Sequence, residues 1–134
     1  MTAPEVSILI PVRGAAAFVA DALASLRAQA PVAWEGILVG ADTDPAALQA
    51  AAAGDPRLRV AEHVAATEAE ALHAAALQAQ AEVLGVLDGD DLLEPDALAT
   101  LLAVLREWPD AGMAYGRHVL VDAGGRVLGP GPLC

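Results

Sequence analysis

Short apolar segments and longer helical stripes alternate along this chain. The apolar segments are rich in aliphatic and β-branched residues and end at turn-forming residues, which predicts buried strands. They span residues 5–12, 36–41, 57–63 and 82–88. Each is followed by a segment in which apolar residues recur every three or four positions, which predicts a helix. These helical segments span residues 14–30, 42–56, 66–81 and 94–109.

Residues typical of helical faces and helix ends support these assignments. In the first helical segment Phe18, Ala22 and Leu26 fall on one stripe, which predicts a buried face. Asp44 precedes the second segment and Thr67 the third. Both are residue types whose side-chain oxygen accepts a hydrogen bond from the first helical turn, so we expect them to cap these helices.

Four strand–helix repeats predict an α/β fold, a Rossmann-like and mostly parallel sheet flanked by helices. Residues 111–129 predict a C-terminal β pair that turns at Gly124 and Gly125. We expect one domain over residues 1–128 and a loose tail over residues 129–134. Such sheets bind ligands at the carboxyl ends of their strands, near a switch in strand order.

Composition and charge narrow the range of partners. Hydrophobic residues make up 56% of the chain but aromatic residues only 3%, so Ala, Leu and Val must fill the core. The chain has 18 acidic and 7 basic residues, a net charge of -11. This acidity argues against nucleic acid or an anionic membrane surface as the main partner. A nucleotide would need a bridging cation or a local positive pocket.

The cysteine content and the N-terminal residues bear on the expected location. Cys134 is the only cysteine, so no intrachain disulfide is possible, which fits a reducing compartment. The first residues lack the basic flank and long apolar region of a signal peptide. No apolar segment is long enough to span a membrane. We therefore expect a cytoplasmic protein with no membrane span.

Three carboxylates follow the fourth predicted strand, at Asp88, Asp90 and Asp91. Gly89 lets the backbone turn, so that Asp88 and Asp90 can face one pocket. Hard oxygen ligands of this kind suit Mg²⁺ or Mn²⁺, which in nucleotide sites share protein carboxylates with phosphate oxygens. The alternative is a simple Asp-Gly turn, with Asp91 placed near the start of the next helix.

The stretch "LGVLDGDDLLEPDALATLLAVLRE" resembles the D-x-D segment and following helix of A-type inverting glycosyltransferases, the large nucleotide-sugar-dependent family. "VSILIPVRG" is similar to the family's first strand and nucleotide loop, "AFVADALASLRAQ" to its first helix and "AGMAYGRHVLVDAGGRVLG" to its later strand pair. The resemblance covers nearly the full chain. It implies the donor-binding half of a metal-dependent enzyme that moves a sugar from a nucleoside diphosphate to an unknown acceptor.

The resemblance also implies a set of site residues. Asp90 would ligate the divalent metal, Mn²⁺ or Mg²⁺, that bridges the diphosphate. Asp88 would lie against the ribose or support the metal. Main chain at Pro11, Val12 and Gly89 would border the nucleotide.

Three features depart from the family pattern. The family usually carries paired acids after the second strand, but this chain has Gly40 and Ala41 there. Asp42 is then either a displaced nucleotide contact or a helix cap. Arg13 stands where the family prefers an aromatic residue, and it could pair with a phosphate or remain solvated. His73 stands in the place of an Arg, and it could donate to a phosphate or be a bystander on an alanine-rich helix.

Two functions follow from these observations. The first is a glycosyltransferase represented by its donor-binding half, because the family's acceptor half would follow the strand pair. The second is a non-catalytic binding module, for which Ala74 in the place of a family Asn also argues. Loss of the acceptor half would uncover apolar surface and favour a homo-oligomer. Neither Asp110 nor Asp122 matches the family's catalytic acid, so the catalytic base is unassigned.

Overall fold

The computed structural model describes residues 3–14, 17–62 and 65–132, so His63 and Cys134 lie outside the described residues. The described part alternates strands and helices as the sequence predicts, and then ends in a strand pair. In chain order the elements are β1 (Val6–Arg13), α1 (Val19–Arg27), β2 (Trp34–Ala41), α2 (Pro45–Ala52), β3 (Leu58–Val60), α3 (Glu68–Gln78), β4 (Leu84–Val86), α4 (Ala97–Glu107), β5 (Val119–Val121) and β6 (Val127–Pro130). None of the described helices is long and apolar enough to cross a membrane.

The chain divides into two compact units, Met1–Ala97 and Leu98–Cys134. The first contains a four-stranded parallel sheet in the order β3-β2-β1-β4. The second contains most of α4 and the antiparallel pair β5–β6. The predicted turn of this pair is confirmed, because Gly125 has a φ of 83°. Strand β6 ends at Pro130, so it includes the first two residues of the segment predicted as a tail.

The two central strands form the core of the first unit. All of β2 is buried, and so is β1 except for its last residue, Arg13. A strand buried on both faces needs helices on both sides of the sheet. On one face Ala71 and Ala75 of α3 pack in a cluster with Leu9 and Ile37. The small alanine side chains let this helix approach the sheet closely.

Helix α1 covers the opposite face of the sheet. A Cβ added to Gly36 of β2 would lie 3.4 Å from Leu26 of α1. The buried face of α1 comprises Val19, Ala22, Leu23 and Leu26. Phe18 was predicted to share a helical stripe with Ala22 and Leu26, but α1 begins one residue later. Phe18 is the residue before the helix, and 44% of its surface is exposed.

Both predicted helix caps are confirmed. The Asp44 side chain accepts a hydrogen bond of 3.0 Å from the N–H of Ala46 in α2. The Thr67 hydroxyl accepts one of 3.2 Å from the N–H of Glu70 in α3. Each cap satisfies a backbone donor that has no partner inside the helix, and it marks where the helix starts.

A buried carboxylate ties the edge strand β4 to the centre of the sheet. Glu35 accepts hydrogen bonds from the Ser7 hydroxyl, at 2.6 Å, and from the N–H of Gln80, at 2.7 Å. Its other oxygen lies 3.2 Å from the Arg59 guanidinium. The Ser7 oxygen in turn accepts from the N–H of Ala81 at 3.0 Å. A buried charge with this many partners is compensated, and it fixes the segment that leads into β4.

A second ion-pair cluster lies in the loop between α2 and β3. The Asp55 carboxylate accepts hydrogen bonds from the backbone N–H and the guanidinium of Arg57, each at 3.0 Å. It also accepts one of 3.1 Å from Nε of Arg27 in α1. The side-chain hydrogen bond from Arg57 holds the pKa of Asp55 well below its usual range. This carboxylate therefore joins α1 to the loop before β3.

The variant Asp55→Asn should lower the free energy of unfolding at pH 7 by about 1 to 2 kcal/mol, because the carboxylate charge is lost and an amide nitrogen cannot accept the hydrogen bonds of the oxygen that it replaces. The folded pKa lies below the unfolded one, so this contribution is complete above about pH 4 and is lost as the pH falls toward the folded value. Thermal unfolding at pH 7 and pH 3 measures both effects. Asp21→Asn, at an exposed position of α1, is the matched control. Equal midpoints for wild type and Asp55→Asn at pH 7 would contradict the prediction.

Candidate functional site

The carboxyl ends of β1 and β4 meet at the point where the strand order reverses. β1 pairs with β2 on one edge and with β4 on the other. The contact between β1 and β4 continues past β4, because the N–H groups of Leu87 and Gly89 donate to the carbonyls of Leu9 and Pro11 at 2.9 and 3.0 Å. Parallel α/β sheets bind ligands at such a reversal, since the flanking loops diverge there and leave a crevice.

A cavity of about 410 Å³ opens at this position. It contains every site residue that the sequence predicted in the first loop and in the D-x-D segment. It also contains two residues that the sequence analysis did not assign to a site, Phe18 and Glu68. The full lining is Pro11, Val12, Arg13, Phe18, Glu68, Asp88, Gly89 and Asp90.

The three carboxylates after β4 are close enough to share one cation. Asp88, Asp90 and Asp91 each offer an oxygen, and these oxygens lie within 4.8 Å of one another. Asp88 is half-buried, whereas Asp90 and Asp91 are exposed. The N–H of Asp91 donates to the carbonyl of Asp88 at 3.0 Å, so a tight turn holds the group together. Hard oxygen donors in this arrangement fit Mg²⁺ or Mn²⁺.

The surroundings of Asp88 disfavour its negative charge. Burial, together with the nearby carboxylates of Glu68, Asp91 and Asp90, raises the pKa of Asp88 to about 6. At neutral pH the group is nevertheless mostly ionised. Because burial and neighbouring carboxylates disfavour this charge, a cation beside Asp88 would be attracted.

Gly89 is required by the close approach of the two strand ends. A Cβ at this position would lie 2.9 Å from Cγ2 of Val12 and 3.3 Å from the carbonyl oxygen of Pro11. The sequence analysis explained the glycine by a backbone turn toward a ligand. The structure adds that the glycine lets the D-x-D loop pack directly on β1.

A buried threonine fixes the loop that follows β1. Oγ1 of Thr43 lies 2.8 Å from the carbonyl of Gly14 and 3.0 Å from that of Val12, so its hydroxyl donates into this loop. A Cβ on Gly40 would lie 2.6 Å from the carbonyl oxygen of Thr43. An acid therefore cannot occupy position 40 without moving Thr43 and the loop that follows β2. The sequence analysis missed Thr43, because within "ADTD" it resembles an ordinary turn residue.

Two predicted site residues lie apart from the cavity lining. Asp42 is exposed, with a φ of 55°, and its N–H donates to the carbonyl of Ala65 at 3.3 Å. Asp44, not Asp42, caps α2. His73 lies on α3 in a separate groove that it shares with Ala74 and Leu77. The nucleotide contacts of Asp42 and His73 remain predictions.

The variant Asp88→Asn should stabilise the protein in metal-free buffer at pH 7, by about 1 to 2 kcal/mol. The folded pKa of about 6 lies above the ordinary value of 3.8, so ionisation opposes folding. Wild type should lose stability as the pH rises from about 4 to about 6, whereas Asp88→Asn should not. Unfolding midpoints in EDTA across this range measure the difference, with Asp21→Asn as the control. Identical pH profiles for the wild type and Asp88→Asn would contradict the prediction.

The variant Gly89→Ala should lower the free energy of unfolding by about 1 to 3 kcal/mol, because the added methyl group overpacks against Val12. Denaturant unfolding measures this loss. Gly112→Ala is the matched control, since nothing lies within 4 Å of a Cβ at that position. A Gly89→Ala protein as stable as wild type would show that the loop relaxes without cost.

Comparison with known proteins agrees with this geometry. The sequence model described as glycosyl transferase family 2 matches residues 7–127. The uncharacterized protein y4gI of Sinorhizobium fredii (strain NBRC 101917 / NGR234) is 34% identical over 128 residues, which cover 91% of this chain and 14% of that protein. The chain therefore spans about a seventh of this relative.

Solved structures with the same fold include a complex of TarS and a mannosyltransferase. S. aureus TarS 1-349 in complex with UDP-GlcNAc superposes with a TM-score of 0.67 at 21% identity, over 77% of this chain and 31% of that chain. The mannosyltransferase PcManGT from Pyrobaculum calidifontis, in complex with GDP-Man and Mn²⁺, superposes with a TM-score of 0.67 at 24% identity, over 78% of this chain and 33% of that chain. At this identity the likeness concerns the fold, which is the A-type Rossmann-like fold predicted above. With the match over residues 7–127, it follows that the chain belongs to glycosyl transferase family 2.

Proposed function

We propose that this chain binds the nucleoside diphosphate of a sugar donor together with a divalent cation, as the donor-binding half of an inverting glycosyltransferase. The observation that carries the proposal is the cavity between the ends of β1 and β4. It combines an apolar wall at Pro11, Val12 and Phe18 with carboxylates at Asp88 and Asp90. An apolar wall beside a few convergent polar groups is typical of a small-molecule site.

The carboxylates are the proposed cation site. Asp90 and Asp88 would hold Mn²⁺ or Mg²⁺, and the oxygen donors within 4.8 Å of one another support this assignment. A bound cation would offset the negative charge that develops on the departing nucleoside diphosphate. The complex of PcManGT with GDP-Man and Mn²⁺ supports the same combination of ligands here.

The remaining cavity residues would orient the nucleotide. Among the described lining residues Arg13 is the only basic one, and we assign its guanidinium to a phosphate of the donor. Main chain at Pro11, Val12 and Gly89 would border the nucleoside. Their backbone is held in place by the hydrogen bond between Gly89 and Pro11, so little ordering is needed on binding.

Acceptor activation is not assigned to the described acids of the second unit. Asp122 accepts hydrogen bonds from the N–H groups of Gly124 and Arg126, and the latter hydrogen bond lowers its pKa. A carboxylate engaged in a turn in this way is a poor general base. The acceptor and the donor sugar therefore stay open within this proposal.

One observation favours the second candidate, a non-catalytic binding module. β4 is one of the two edge strands of the four-stranded sheet. Leu84 and Val86 on it are 48% and 57% exposed. An exposed edge strand with apolar side chains is prone to pair with another chain, so this candidate predicts a homo-oligomer with little nucleotide affinity.

Calorimetric titration of UDP and GDP, in Mn²⁺ and in EDTA, separates the two candidates. We expect one nucleotide to bind wild type in Mn²⁺, and Asp90→Ala to weaken that binding by at least about tenfold because a cation ligand is lost. Asp110→Ala is the control, since it removes an exposed carboxylate from the second unit.

Absence of binding by wild type under every condition would overturn the proposal. Sedimentation analysis of the same preparation would then test the binding-module candidate, which requires a concentration-dependent oligomer. Equal binding by wild type and Asp90→Ala would refute the assigned cation site.

A further inference from the structure

Glu68 is the first residue of α3, and its side chain lines the cavity. It takes no part in the helix cap. The Thr67 hydroxyl accepts from the N–H of Glu70, and the Glu70 carboxylate accepts from the N–H of Ala66 at 3.0 Å. This reciprocal cap satisfies backbone donors at the start of the helix. The helix cap therefore does not account for the contact of Glu68 with the cavity.

Glu68 joins the two loops that form the cavity. Oε2 of Glu68 lies 3.9 Å from Nη2 of Arg13, in the first loop. Its carboxylate also lies near that of Asp88, in the D-x-D loop, so that repulsion between the two charges adds to burial in raising the pKa of Asp88. The Arg13 and Glu68 side chains are 70% and 42% exposed, so a ligand entering the cavity can reach both of them.

The charge of the lining shows what Glu68 contributes. Of the described residues that line the cavity, Arg13 is the one basic residue, against the three acids Glu68, Asp88 and Asp90. When all four groups are ionised, the lining has a net charge of minus two. With neutral Gln at position 68 it would have a net charge of minus one, and Arg13 would lose its partner. A free nucleoside diphosphate carries several negative charges, so repulsion by this lining opposes its entry.

We infer that Glu68 makes nucleotide binding conditional on the divalent cation. It keeps the cavity anionic and occupies the Arg13 guanidinium, so that a diphosphate binds well only with a cation that neutralises it. This inference rests on the proposed function. In this role Glu68 discriminates between the metal-free and the cation-bound nucleotide. The role is separate from cation ligation, because the Glu68 carboxylate is not part of the cluster formed by Asp88, Asp90 and Asp91.

The test is the ratio of UDP or GDP dissociation constants in EDTA and in Mn²⁺, measured by calorimetry for wild type and variants. Glu68→Gln should tighten metal-free binding by about tenfold, since one unit charge near the ligand is removed. It should leave binding in Mn²⁺ within about threefold, because the complexed nucleotide carries less charge. Glu68→Asp should retain the wild-type ratio.

Glu82→Gln is the matched control, since it removes the same charge before β4, at the opposite end of that strand from the cavity. It should retain the wild-type ratio. A merely structural role for Glu68 would change binding in EDTA and in Mn²⁺ by the same factor.

Three outcomes overturn the inference. If Glu68→Gln has the same ratio of dissociation constants in EDTA and in Mn²⁺ as wild type, the Glu68 charge does not discriminate between the metal-free and the cation-bound nucleotide. Weaker binding in Mn²⁺ alone shows that Glu68 acts as a cation ligand. Failure of wild type to bind either nucleotide in Mn²⁺ removes the proposed function itself, which the first two outcomes leave intact.

Discussion

Strand β1 is hydrogen-bonded along both edges, to β2 and to β4, and its pairing toward β4 continues past the strand through the N–H groups of Leu87 and Gly89. This pairing sets Asp88 and Asp90 beside the loop that follows β1. Because β1 is almost entirely buried, it cannot shift register without moving apolar side chains out of both faces of the sheet. The geometry of the cavity therefore depends on a strand in the buried centre of the first unit.

Carboxylates at the two ends of the sheet have opposite surroundings. At the amino ends Glu35 is buried, yet Ser7, Arg59 and Gln80 satisfy it. At the carboxyl ends Asp88 stands among other acids, and burial and repulsion raise its pKa. The first arrangement stabilises the fold, whereas the second opposes it. Acids that repel one another in a preformed cavity are typical of a binding site, where such groups lower the stability of the folded protein.

Much of the fold and part of the site could be predicted from local sequence. The strands, the helices, the caps at Asp44 and Thr67 and the Asp-Gly-Asp turn depend on neighbouring residues, so periodicity and residue type reveal them. The position of Phe18 was mistaken, because a helical stripe does not show where the first turn begins. Glu68 was missed for a similar reason, since an acid in the first turn of a helix is common without any ligand.

The sequence by itself determined the order and type of the elements, and it identified the carboxylates after β4 as candidate ligands. Only the tertiary structure decided which distant residues meet them. Asp88 lies near Glu68 of α3 and lines the same cavity as Arg13. His73, which is also on α3, lines a different groove. These proximities arise from parallel pairing and from helix packing across the sheet. Such long-range contacts leave no period or motif in the local sequence, because they depend on how whole elements pack.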